Sequence, residues 1–112
     1  MKVMLHLREG VTPARFLTDL RMGIRSGEIR AWEVTRSKPS TVIRRVGRFH
    51  ASPILLKPAP KKRFGDTDHR PADVVASLSG KDAVLVLRYF VYLLTSKLAD
   101  QVEGFYVPVG EP

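Results

Sequence analysis

An α+β fold, a small antiparallel sheet of three or four strands with helices packed on one face, is what this sequence predicts. Two patterns and their punctuation lead there. Short stretches rich in β-branched and aromatic residues alternate apolar with polar, as half-buried strands do. Two longer stretches repeat apolar residues every three or four positions, the stripe of a helix lying on a core. Gly, Pro and Ser separate them, and the order reads β-α-β-β-(β)-(α)-α, a two-layer arrangement.

The chain opens with Val3, Leu5 and Leu7 on one side and Met4 and His6 on the other, a strand with a core face and a mixed face. A helix follows. Thr12 is its N-cap, Pro13 occupies the first helical position where a missing N–H costs nothing, and Gly27 supplies a left-handed stop after Ser26. Phe16, Leu17, Leu20 and Ile24 form its apolar stripe, with Arg15, Arg21 and Arg25 elsewhere on its surface. Gly23 inside the helix costs about 1 kcal/mol relative to Ala, which a close backbone neighbour or a frayed last turn would explain.

Residues 29–36 predict a second strand with Trp32 and Val34 on one face, and Ser37, Lys38, Pro39 and Ser40 a turn. A third strand is expected over 41–50. A bulge at Arg44 and Arg45, or at Gly47, would bring Ile43, Val46 and Phe49 to the core side together. After Pro53, residues 54–57 suit a short edge strand, where proline is tolerated. Residues 58–70, with Pro58, Pro60 and the Lys61, Lys62, Arg63 cluster, read as a flexible basic loop. A short helix is expected from Pro71 over Asp73 to Leu78.

The final helix starts with Ser79 as N-cap and Asp82 three residues on, approximating a capping box. Its expected core stripe is Val84, Leu87, Val91, Leu94 and Leu98, its end lies near Glu103 before Gly104, and 105–109 form a terminal extended segment. Between 84 and 94 only Arg88 is polar. A helix apolar nearly all round needs cover on more than one face. The first helix could supply that cover, or the same helix, at about 80–103, of a second copy in a homodimer.

At 112 residues and 44% hydrophobic composition, the chain fits one domain, 1–112, with a single core. It has no cysteine, which excludes disulfides, thiolate metal sites and a cysteine nucleophile. The first residues are too short and too polar for a signal peptide. The most apolar run, 83–94, has twelve residues, well short of the roughly 20 a membrane span needs. A cytoplasmic protein without a membrane partner is expected.

The charge is confined to one segment. Between 34 and 65 stand nine basic residues (Arg36, Lys38, Arg44, Arg45, Arg48, Lys57, Lys61, Lys62 and Arg63) and no acidic one, while the rest of the chain holds ten basic and eleven acidic. Cations on flexible stems along an exposed surface suit phosphates, so these nine are the candidate nucleic-acid-binding residues, for DNA or RNA. Of the nearby aromatics, Phe64 suits base stacking, whereas Trp32 and Phe49 suit the core. An acidic protein partner, or a solvated basic face without a partner, fits the same charge.

His50, near Arg45, Arg48 and Ser52, supplies in kind what a metal-independent ribonuclease needs, a near-neutral base and cations for the transition state. A lone histidine near a strand end is more often structural. Asp66, Asp68 and His69 offer oxygen and nitrogen ligands in a loop, but such loops are commonly rich in Asp as turn formers. The chain has no Gly-rich phosphate loop, G-x-S-x-G, H-E-x-x-H or G-x-G-x-x-G. No catalytic residue, cofactor or metal is therefore expected.

From Thr12 onward the order helix, three strands, helix resembles the double-stranded RNA-binding domain, with the basic loop before the last helix in a comparable place. That family's Lys-rich helix start is replaced here by Ser79, Gly80, Lys81 and Asp82. In size, charge and strand content the chain also resembles small basic toxins of the RelE and ParE type. Three readings follow: a nucleic-acid-associated binding protein using the 36–63 surface, a non-enzymatic regulator or inhibitor binding an acidic protein as a dimer, and a ribonuclease-type toxin with His50 as general base.

Overall fold

The alternation at the start of the chain forms strand β1 (Lys2–Leu7), with Val3, Leu5 and Leu7 fully buried. The structure, a computed structural model, describes residues 1–47, 51–60 and 71–108. Helix α1 (Pro13–Ser26) begins and ends where its caps dictate. The Thr12 hydroxyl accepts from the Arg15 N–H at 3.1 Å, and Gly27, at φ 89°, donates its N–H back to the Ile24 carbonyl. Gly23 is buried in an intact last turn. Its neighbour is a side chain rather than backbone: a Cβ there would meet Ile29 Cδ1 at 2.7 Å.

Six strands follow from the described residues, against an expected three or four. After β1 and α1 come β2 (Trp32–Arg36), β3 (Thr41–Arg45), β4 (Ile54–Pro58), β5 (Val74–Leu78), α2 (Ala83–Ser96) and β6 (Val102–Tyr106). They make one antiparallel sheet in the order β2-β3-β4-β5-β1-β6. The α+β class holds, and the order differs from expectation in several elements.

The segment expected to be a helix before α2 is strand β5. A run of five residues, Val-Val-Ala-Ser-Leu, is ambiguous by period alone, and here β4 and β1 flank it with ladders on both sides. For the same reason β4 is an interior strand and not an edge. Strand β3 stops at Arg45, short of 50, and Val46 is 49% exposed rather than in the core. The register shift falls instead on β2, between Val34 and Arg36. The resemblance to the double-stranded RNA-binding domain does not extend to this topology, because four strands lie between the helices and two more outside them.

Helix α2 is shorter than expected and turned about its axis. It buries Val86, Phe90, Leu93 and Leu94, while Val84 is exposed. A helix with two apolar stripes offers two solutions, and the one chosen sets Phe90 edge-on to Trp32, ring centroids 6.4 Å apart. Ser79 does not cap it. The cap position is Asp82, whose side chain makes no cap bond; its Oδ2 instead accepts from the Ser52 N–H at 3.0 Å. Gly80, at φ 94°, turns the chain tightly against Ser52. Leu98 lies buried beyond the helix, and β6 begins at Val102, earlier than the expected extended segment.

Residues opposite one another in a ladder share a face. Ile43, Ile54 and Leu78 form one such row, and Leu56, Ala76 and Val3 another. Both rows belong to the same buried cluster as Phe16, Leu20, Phe90 and Leu94. The two helices therefore cover one face of the sheet with one core between. Truncating Phe16 or Phe90 there to Ala would cost about 3–5 kcal/mol.

Candidate nucleic-acid interface

Among the described residues, no helix lies on the other face of the sheet. Its residues follow from the same registers read at alternate positions. Arg36, Val42, Leu55, Ser77 and Lys2 stand opposite one another across β2, β3, β4, β5 and β1. A second row runs Lys57, Val75, Met4 and Tyr106 across β4, β5, β1 and β6. Val75 is only 5% exposed yet stands outside the core cluster.

The first row has a cation at each end; the second runs from a cation to an aromatic ring. Lys2, Arg36 and Lys57 are exposed and form no ion pair with another described residue. Between them lies an apolar floor of Val42, Leu55, Val75 and Met4. At the β1–β6 end His6 and Tyr106 stack, centroids 5.7 Å apart and planes 25° from parallel. Tyr106 is 48% exposed.

The basic residues counted along the sequence do not all meet here. Arg44 and Arg45 are adjacent, so strand alternation sends them to opposite faces. Arg44 is on the open face and pairs with Glu33, its direct cross-strand partner. Arg45 is on the helix side, opposite Trp32, with its guanidinium stacked 3.8 Å over the Tyr89 ring. Lys38 is exposed in the turn between β2 and β3. Trp32 is in the core, as its type suggested. Arg48, Phe49, His50, the Lys61, Lys62, Arg63 cluster, Phe64 and the Asp66, Asp68, His69 group lie outside the described residues.

Lys2, His6 and Tyr106 were not singled out from the sequence as site residues. Alternation in β1 places Lys2, Met4 and His6 together on its non-core side and was available as a signal; the pairing that brings Tyr106 beside His6 spans the whole chain and was not.

Three acidic side chains meet away from this face. An open cleft of about 630 Å³ beside the end of α1 is lined by Asp19, Glu28 and Asp100, with Lys97 and Gln101. Asp19 is already engaged, accepting from Gln101 Nε2 at 2.9 Å and pairing with Arg15 at 3.6 Å. Among the described residues no group of three or more His, Asp or Glu side chains could hold a metal ion, and no helix is long and apolar enough to cross a membrane.

Chemically, the open face can hold anions at its margins and planar or apolar groups at its centre. Compared with known proteins, the chain matches no family model, no curated protein and no solved structure.

Proposed function

We propose that this protein is a small nucleic-acid-associated binding protein that contacts phosphates through the basic surface of residues 36–63 and the open sheet face it joins. The observation that carries the reading is the pair of cross-sheet rows bearing Lys2, Arg36 and Lys57, which among the described residues form no ion pair and stand on a face that no helix covers. Arg45 has no part in it, being turned to the helices.

Each phosphate neutralised releases counterions, so affinity falls with salt. Three such contacts give a slope near −2.7 on duplex DNA, or about a 40-fold loss between about 50 and 200 mM salt. The test is a binding series with labelled single- and double-stranded DNA and RNA at those two concentrations. Binding indifferent to salt, or none at the lower salt, overturns the reading. Recovery of a defined acidic protein after nuclease treatment, without nucleic-acid binding, would favour the regulator instead.

We also propose a homodimer through the outer side of α2, where Val84, Leu85 and Tyr92 are exposed apolar residues of one helix. Exposed apolar residues on one side of a helix, here around the exposed Arg88, are what a partner surface covers.

A further inference from the structure

We propose that the open sheet face is a platform for single-stranded nucleic acid, on which one base stacks on the exposed ring of Tyr106 while the strand's phosphates meet Lys2 and Lys57. The inference rests on the nucleic-acid reading above and specifies the substrate class.

The first argument is geometric. Six strands at about 4.8 Å spacing span about 24 Å, twice the roughly 12 Å width of a major groove that admits one helix or a two-stranded ribbon. A face this wide does not fit the major groove of an undeformed duplex, so reaching base edges there would cost the energy of bending or unstacking the DNA. Unpaired bases have no such barrier, because their faces and edges are already free to lie on a flat surface.

The second argument is chemical. Aromatic rings beside a cationic track are what sequence-tolerant strand binding uses, since every base has a π-face. Tyr106 and Lys57 terminate the same row, with the apolar side chains of Val75 and Met4 between. The row crosses three strand spacings, about 14 Å, room for a short run of nucleotides. His6 stacks on the tyrosine, which fixes the plane of the phenol ring before any base arrives. Less rotamer freedom is then lost on binding.

The third argument is the charge that selects the occupant. Of the two acidic residues in the strands, Glu33 is held by Arg44 and Glu103 stands in β6, while Lys2, Arg36 and Lys57 form no ion pair among the described residues. A second copy docking through the same face would set these cations against like charge, since an isologous contact uses one patch twice. A polyanion has no such conflict.

The experiment compares full-length protein with its Tyr106→Ala, Tyr106→Leu and Tyr106→Phe variants. Binding is read by fluorescence anisotropy on labelled oligo(dT) and oligo(U) of about 12 nucleotides and on a mixed-sequence duplex of equal length. Thermal unfolding of each variant checks the fold, and the Leu variant keeps the apolar cover that Ala removes from β6. The expected result is tighter binding to single strands than to duplex. Loss of the ring in the Ala and Leu variants lowers single-strand affinity roughly 5- to 100-fold. The Phe variant retains it within about twofold, because the stacking surface is kept, and duplex binding is unmoved. Equal affinity for both forms with no effect of the ring, or equal loss on both, overturns the platform while leaving salt-dependent phosphate binding standing. No binding to either form at low salt overturns both.

Discussion

The guanidinium carbon of Arg45 stands 3.8 Å from the centre of the Tyr89 ring, on the opposite side of the sheet from the paired Arg44 and Glu33. Neighbours in sequence, the two arginines have unrelated roles. A cation over a phenol face contributes about 0.5–2 kcal/mol, more as it is desolvated, and Arg45 is half-buried. Its charge helps to seat α2 on the sheet.

Arg45→Ala is therefore expected to lower stability by about 1 kcal/mol while leaving nucleic-acid affinity and its salt slope unchanged. Lys57→Ala should do the reverse, because Lys57 is exposed on the open face: unfolding is unmoved and the salt slope falls by about 0.7–0.9. Denaturant unfolding and salt-titrated binding on the two variants check this. A loss of affinity in the Arg45 variant at full stability would contradict the face assignment.

The Glu33 carboxylate neutralises Arg44 on the open face of the sheet. Removing that charge in Glu33→Gln frees the guanidinium for phosphate, at a stability cost below about 1 kcal/mol for so exposed a pair. Affinity for nucleic acid should rise, and the salt slope should steepen by about 0.7 on single strands and 0.9 on duplex. An unchanged slope would show that Arg44 does not reach the ligand.

What was legible in the sequence was local. The caps of α1 are chemistry between residues at most three or four apart, so Thr12, Pro13 and Gly27 set its ends correctly. Strand β1 was equally legible from alternation. The five apolar or small residues of β5 were not, since only neighbouring ladders decide between strand and helix. In α2 two competing apolar stripes left its rotation to tertiary packing, and Phe90 against Trp32 settled it. The site divides the same way. A charge count along the chain found the basic segment but could not assign Arg44 and Arg45 to their faces, nor foresee that β6 returns beside β1 to set Tyr106 on His6.

Tyr92 is 73% exposed on the outer side of α2. If this side joins two copies, Tyr92→Lys places like charges together at the contact and leaves a monomer, with unfolding little changed because the residue is outside the core. Sedimentation across a range of protein concentrations reads the mass directly. A wild-type chain that stays monomeric throughout disposes of the homodimer, without bearing on the open sheet face opposite.

Asp82 ties the start of α2 to Ser52. The Ser52 hydroxyl, and then its N–H, hold the carboxyl below its ordinary value of 3.8, and the N–H bond is 3.0 Å. Between the folded and unfolded values the unfolded chain binds more protons, so stability falls as pH falls. The contribution is complete above about 3.8, declines below it, and is gone once pH passes the lower folded value. Asp82→Asn cannot titrate and accepts the same N–H more weakly. It should be less stable than wild type at neutral pH, with the gap narrowing as pH drops below about 4. Thermal unfolding of both proteins from about pH 7 to pH 3 measures that gap. Parallel curves across the whole range would mean that the Ser52–Asp82 bond is no stronger for the carboxylate than for the neutral acid.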